Sequence, residues 1–461
     1  MKNNAQKMTG IAIGWLMCLP AWGQSLGEAI ETTIKTNPDI LTSANNRLAR
    51  EGEVTQAKSG YLPSIDLNAG IGYEEANNRS TRTGIRRFED SDHHPINPID
   101  KQGTVDMRRD ELGAQVRQMV FDGLLTYHDT RRTKAAVTAA AYTVFGSAEK
   151  VALDAAEAYL DVLREQELVQ LAKDNVEVHE RTMDQIKLRS DMGVGRKADD
   201  DQAKARLALA RTNLLSEEGN LNDAISHYQR VIGALPDNPA RPEDPRSKLP
   251  ADQDTAVKLA LENHPTLKSA EADIEETDAQ HDMAYAPFFP RVDIELSATS
   301  YSNLNGVPGY NNDYQAMARL RYNIFKGGKD AGRLEQTAHQ INEAKEIRNH
   351  TYRQVVESMR FSWTAYQTKT NQLSFYKEHM EDTEKTHKAY QQQFNLGERT
   401  LLDLLDTANE LFTARTAYTN ASYDELFAMY RVMASMGQLN STLGVKLPEE
   451  TAPVAIDGSI L

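Results

Sequence analysis

The 461 residues could bury several cores, and 40% apolar content with only 7% aromatic residues suits helices better than sheets. A formal net charge of -15 argues against nucleic acid as a partner, because neutralising phosphates requires clustered Lys and Arg. The sequence holds no Gly-x-Ser-x-Gly, no His-Glu-x-x-His, no Gly-Lys-Ser/Thr loop and no Cys cluster, so no enzymatic function, cofactor or metal is expected.

Lys2 and Lys7, an apolar run from Ile11 to Leu19, and Ala21-Trp22-Gly23 read as a secretory signal over residues 1-23, cleaved after Gly23. Met17 precedes Cys18 where lipidation needs a small residue, so no lipid anchor is expected. Cleavage takes the only cysteine with it and leaves a mature chain that needs no disulfide. No other apolar run approaches the ~20 residues of a spanning helix, so any insertion into a membrane must use strands.

A first repeat, residues 24-235, opens with a helical pattern from Leu26 to Lys58 that Pro63 stops. Ile65, Leu67, Ala69, Ile71 and Tyr73 then alternate with Ser64, Asp66, Asn68, Gly70 and Gly72, which gives a strand with one apolar and one polar face. The polar stretch from Glu74 to Asp110 reads as a surface loop carrying Arg79, Arg82, Arg86, Arg87 and His93-His94. Two adjacent His lack a third metal ligand, and the arginines either meet lipopolysaccharide phosphates or are simply solvated. A return strand from Leu112 to Val120 completes a β-hairpin over 64-121, weakened by Gln118 on its apolar side. A long helix from Leu124 to Ser190 follows, with Val151, Ala155, Ala158 and Val162 as a seam of small residues. A tip turn at 191-198 leads into a return helix from Asp199 to Ile232.

Residues 236-250 form a Pro-rich linker, expected to be neither helix nor central strand. The second repeat, 251-444, has its own first helix and a β-hairpin over 291-325, with strands from Val292 to Ala298 and from Tyr314 to Ile324 around Asn305-Gly306. Its long helix, Lys329 to Phe394, carries a heptad seam of Leu373, Tyr376, Met380, Thr383, His387, Tyr390 and Phe394, which is core packing. A tip turn at 395-400, a return helix from Thr400 to Leu443 and an irregular tail, 445-461, complete the chain. Sixty-odd helical residues at ~1.5 Å each extend on the order of 100 Å.

The two repeats are one unit copied. A shift of 204 residues lays Phe121-Asp-Gly123 on Phe325-Lys-Gly327, Gly193 on Gly397, Asp199 on Asp403 and Gly233 on Gly437. A shift of 227 lays Asn37-Pro38 on His264-Pro265 and Tyr61-Leu-Pro-Ser on Phe288-Phe-Pro-Arg, and the difference is an insertion between Leu67 and Phe121. Strands about ten residues long with an apolar face suit a bilayer, where every backbone group must be paired and a sheet must close. Four strands are too few for one barrel, so several chains must share it.

The duplication, the Tyr-Leu-Pro-Ser and Phe-Phe-Pro-Arg strand starts, the Phe-Asp-Gly and Phe-Lys-Gly strand ends, and Leu396-Gly-Glu-Arg-Thr-Leu-Leu-Asp-Leu-Leu-Asp406 resemble the TolC family of outer-membrane efflux proteins over residues 25 to 444. The resemblance implies a mainly α fold with a membrane β-barrel part. Three identical chains would build a 12-strand barrel in the outer membrane and a 12-helix barrel through the periplasm. It also implies docking to a periplasmic adaptor and an inner-membrane ABC or proton-driven pump. Leu396 to Arg415 is most similar to members serving type I protein secretion, with multidrug efflux as the alternative, and a soluble periplasmic coiled-coil scaffold or adaptor as the alternative of another class.

By that resemblance Asp403 and Asp406 are the channel gate. Six such carboxylates would attract cations, raise one another's pKa and ease closure at low pH. Without the resemblance, both are more simply a solvated helix face. The gate latch would involve Arg399, Asp199, Asp200 and Phe394. The family's tyrosine is replaced by Phe394, and Ala198 offers only a backbone carbonyl, so a tie from Arg399 to Asp199 or Asp200 is expected. Gly193, Gly195, Arg196, Leu396, Gly397 and Thr400 form the tip turns, where an adaptor would dock.

Overall fold

The computed structural model describes residues 24-84, 103-192 and 196-455. The expected signal segment, Arg86, Arg87, His93-His94, Gly193 and Gly195 lie outside the described residues. Among the described residues, no helix is long and apolar enough to cross a membrane.

Helix α1 spans Leu26–Thr36. Ser25 starts it through a capping box: its hydroxyl accepts from the Glu28 N–H, and the Glu28 carboxylate accepts from the Ser25 N–H at 2.8 Å. The apolar face of α1 is buried through Leu26, Ala29, Ile30 and Ile34. Helix α2, Pro38–Ser59, is separate from it. The single helix expected from Leu26 to Lys58 therefore breaks at Asn37, which the following proline forces into an extended conformation (φ -69°, ψ 125°). The second repeat breaks at the matching point, where His264 separates α6, Gln253–Asn263, from α7, Pro265–Met283.

Strands β1, Ser64–Ala76, and β2, Val105–Phe121, form the first hairpin, and β3, Arg291–Ser302, and β4, Tyr310–Arg321, the second. They make one antiparallel sheet in the order β1-β2-β3-β4. The loop expected over 74-110 is shorter at both ends. Ala76 pairs with Val105, and the short helix α3, Arg79–Gly84, carries Arg79 and Arg82. Charged residues continue these strands on both faces: Arg109 bridges Glu74 and Glu111 on the polar face, and Arg108 pairs with Asp110 on the face of Ile71 and Tyr73. Gln118 does not weaken β2: its amide donates to the carbonyls of Tyr61 and Met119, beside the register shift between Met119 and Phe121. Strand β4 ends at Arg321 instead of continuing to Ile324, because Asn323 accepts from the Phe325 N–H and Gly327 and Gly328 turn the chain at positive φ.

Helices α4, Leu125–Asp191, and α8, Lys329–Leu396, are the long pair, and α5, Lys197–Ile232, and α9, Leu401–Ser435, return. In α4 the seam of Val151, Ala155, Ala158 and Val162 is buried as expected. In α8 the heptad seam is buried at Thr383, His387 and Phe394 but exposed at Tyr376, so within one chain it closes over its C-terminal part only. Contacts divide the chain into two compact units, each drawing on both repeats. Among the described residues, one gathers 24-40, those of 148-262 and 357-448; the other gathers those of 41-147, 263-356 and 449-455.

In the first unit the linker is tied down by buried groups. The Tyr159 hydroxyl is 2.6 Å from both the Gln24 and Ala240 carbonyl oxygens, and the Tyr228 hydroxyl donates to the Gln24 side chain at 2.7 Å. Arg241 donates to Ser422 and Arg246 to Glu425, each at 2.7 Å. The linker does hold one turn of 3-10 helix, Pro245–Lys248, contrary to expectation; Pro245 needs no N–H at its first position, and Asp244 caps the turn by accepting from the Arg246 N–H. The tail likewise is not wholly irregular, with a 3-10 turn at Glu449–Thr451. After Gly437 the short helix α10, Leu439–Thr442, has its first N–H groups satisfied by Glu149 of α4, which accepts from Leu439 N–H, Asn440 N–H and the Asn440 amide at 2.9 to 3.2 Å.

Burial pushes the Glu149 pKa up, against the pull of these three donors. A carboxyl with a raised folded-state pKa holds its proton more tightly folded than unfolded, so acidification through that window does not cost stability at this site. Glu149→Ala leaves two backbone donors buried without partners and is expected to lower stability by on the order of 1–3 kcal/mol, read as a lower urea midpoint with unchanged slope.

Candidate functional site: the helical tips

Helix α8 ends because Gly397 takes the left-handed conformation (φ +81°) that residues with a Cβ disfavour. The reversal is closed by Gly397 N–H to the Phe394 carbonyl at 3.1 Å and Glu398 N–H to the Gln393 carbonyl at 2.9 Å. Two residues later Thr400 begins α9 with a capping box. The Thr400 hydroxyl accepts from the Asp403 N–H at 3.3 Å, and the Asp403 carboxylate takes both the Thr400 N–H, at 3.2 Å, and its hydroxyl, at 2.8 Å. In the first repeat α5 begins at Lys197 after Arg196, which makes no side-chain cap; Asp199 and Asp200 supply the negative charge that a helix start favours.

An apolar cluster joins the two tips: Ile186 of α4, Ala203 of α5, Phe394 of α8, and Leu401, Leu404 and Leu405 of α9. Phe394 is buried here, and the Arg189 guanidinium lies 4.6 Å from its ring centroid, a cation–π contact. Its missing hydroxyl is thus replaced by packing. Leu396 on the turn and Leu402 on the first turn of α9 stay exposed.

The expected carboxylates are placed differently from one another. Asp403 folds back onto the cap, whereas Asp406 reaches sideways to Arg206 of α5, Nη2 to Oδ1 2.6 Å. Arg399 stays on its own side of the turn, with Nε donating to Gln393 at 2.9 Å and the guanidinium 4.1 Å from the Tyr390 ring centroid. Asp200 is engaged by Lys204, so the tie from Arg399 to Asp199 or Asp200 does not form within this chain. Arg206 and Gln393 have no signal in the sequence pattern, and Tyr390 reads there only as seam packing. Arg206 and Asp406 join positions 200 residues apart, and no local pattern in the sequence brings them together.

Like-charge repulsion is not what sets Asp403 within the chain. The Thr400 side-chain and backbone hydrogen bonds hold its carboxyl below the ordinary Asp range. Nearby, burial pushes the pKa of the His179 and His387 imidazoles down, and the Arg206 charge adds to the effect at His179. The His387 ring lies 3.3 Å from the Thr407 hydroxyl. Among the described residues, no group of three or more His, Cys, Asp or Glu is placed to hold a metal.

A depressed folded-state pKa contributes stability that is present above the ordinary Asp range and is lost as pH falls through the folded value. Amide exchange at 401-404 is therefore expected to speed up only on strong acidification. Thr400→Ala should bring the same loosening at neutral pH, costing roughly 0.5–2 kcal/mol locally. A second test is a double-mutant cycle of Arg206→Ala and Asp406→Ala, with an expected coupling of about 0–1 kcal/mol because Asp406 is 55% exposed.

A family model described as outer membrane efflux protein matches residues 29-234 and 256-438. The outer membrane efflux protein BepC of Brucella suis is 22% identical over 439 residues, covering 93% of this chain and 90% of that one. Outer membrane protein TolC of Escherichia coli is 22% identical over 455 residues, covering 95% and 87%. A crystal structure of CusC, reported with conformational changes accompanying folding and transmembrane channel formation, superposes with a TM-score of 0.73 at 13% identity, over 89% of this chain and 91% of that one.

Proposed function

Because the chain belongs to the outer membrane efflux protein family, an outer-membrane exit channel in fold and location, we propose that three copies close one 12-strand barrel whose helices continue as a 12-helix duct through the periplasm. The supporting observation is the sheet with two open edges. Neither β1 nor β4 has a partner on its outer side among the described residues, and the face carrying Leu67 (80% exposed) and Tyr314 (81% exposed) has nothing over it in one chain. Bilayer hydrocarbon covers such a face only if the edges pair, and four strands per chain reach the known range of barrels when chains combine. A soluble periplasmic scaffold or adaptor would have no use for this face. Migration from the outer-membrane fraction as a heat-sensitive trimer is expected; a soluble periplasmic monomer with protease-accessible hairpins would overturn the reading.

The cargo assigned is a protein exported by type I secretion, on the strength of Leu396 to Arg415; multidrug efflux is the second reading. A periplasmic adaptor would engage the tip turns at Arg196, Leu396, Gly397 and Thr400, with Gly193 and Gly195 in the matching turn. An inner-membrane ABC or proton-driven pump would supply the energy, since the duct is passive. Deleting the gene should empty the culture medium of a specific protein while leaving drug sensitivity unchanged; the reverse outcome favours drug efflux.

In the trimer, Asp403 and Asp406 from three chains would line the constriction with six carboxylates that attract cations. The Thr400 cap holds the Asp403 carboxyl below the ordinary Asp range, while Asp406 is turned toward Arg206. Arg399 would act as a latch toward Asp199 or Asp200 of a neighbouring copy after leaving Gln393. Asp403→Ala/Asp406→Ala channels are expected to lose divalent block in single-channel recordings, and block that persists unchanged would remove these residues from the gate.

A further inference from the structure

Four arginines converge on two acids at the start of β3. Asp293 is 0% exposed and Glu295 is 8% exposed at its side chain. Arg291 Nε lies 3.1 Å from both Asp293 oxygens, and Arg321 Nη1 is 2.6 Å from Asp293 Oδ2. Arg319 and the second nitrogen of Arg321 bond Glu295, and Arg117 of β2 reaches it at 3.3 Å. The arginine side chains remain 43 to 49% exposed.

The register fixes which way this cluster faces. Ile65, Leu67, Val116, Ala114, Leu296 and Ala316 pair across the sheet on the apolar side, whereas Arg117, Glu295, Asp293 and Arg319 pair on the opposite side. If the apolar side meets lipid, the cluster faces the lumen, and this rests on the exit-duct reading above. The acids lie beneath and the guanidiniums above, so the lumen meets N–H donors. Each chain adds four positive charges against two buried negative ones, with Asp66 the further carboxylate at that end of the face.

We infer that Arg117, Arg291, Arg319 and Arg321, seated on Asp293 and Glu295, form an anion-attracting girdle in the barrel lumen, with twelve guanidiniums in the trimer, whose sign opposes that of the tip aspartates. A guanidinium with spare donors takes carboxylate or phosphate groups in a fork geometry, so the girdle favours chloride in recordings and anionic groups on passing cargo.

The test is the potassium-to-chloride permeability ratio of the purified trimer in planar bilayers under a salt gradient. Arg319→Gln/Arg321→Gln is expected to raise that ratio about twofold or more, while Arg319→Lys/Arg321→Lys, which keeps the charge, leaves it near wild type. Removing both arginines bares two buried acids and can prevent assembly; Arg117→Gln gives up only the longest of the ties and then decides, with a smaller rise in the same direction. Conducting channels with an unchanged ratio in Arg117→Gln and the double variant would overturn the girdle and leave the exit-duct reading standing. A wild-type protein that forms no channel overturns both.

Discussion

Strand edges that meet hydrocarbon must be paired, and the rest of this structure depends on that constraint. The outer rows of N–H and C=O groups on β1 and β4 find no partner among the described residues, although the sheet between them is paired throughout, with one register shift between Met119 and Phe121. A soluble protein would blunt such edges with charge, proline or a covering loop. Here β1 alternates apolar with polar residues from Ile65 to Tyr73, and β4 presents Tyr310, Tyr314 and Leu320 on the same face, an arrangement suited to a sheet that another chain completes and lipid covers. The buried carboxylates of β3 fit the same logic, because a charged ladder on the polar face can be held by neighbouring arginines away from the apolar face.

At the helical tips, cohesion and charge are separated. The tips are held by Phe394, Leu401, Leu404, Leu405 and Ile186, and each large apolar side chain buried there is worth roughly 1.5–3 kcal/mol. The ionic contacts around them are exposed and individually weak: Arg206 with Asp406, Arg399 over Tyr390, Lys204 with Asp200. A partner or a cation can therefore rearrange these charges without unfolding the helix pairs. Asp403 is the exception, since its carboxylate is also the start of α9.

The repeats and the compact units are different divisions of the same chain. Duplication follows the order of residues, so it runs from one hairpin and helix pair to the next. The compact units each take segments from both copies, because a helix as long as α4 or α8 contributes separate stretches to each. Buried ties such as Glu149 to Leu439 and Asn440, or Tyr159 to Gln24 and Ala240, join segments far apart in the chain. They hold the ends of elements whose own propensities would leave them frayed.

Period and punctuation alone point to the long helices, the glycine turn at Gly397, the small-residue seam of α4 and the two hairpins, because each is a local rule of backbone geometry. The proline that follows Asn37 also encodes the break there, although the apolar period runs on across it. Other features were illegible for a physical reason: they depend on which distant segments pack together. The pairing of Ala76 with Val105 turned much of an apparent loop into strand, and only the facing of α5 and α9 brought Arg206 to Asp406. Packing likewise decided that Phe394 would be buried and that Asp403 and Asp406, one turn apart, would find different partners, since local spacing fixes a side chain's position on its helix but not what stands opposite.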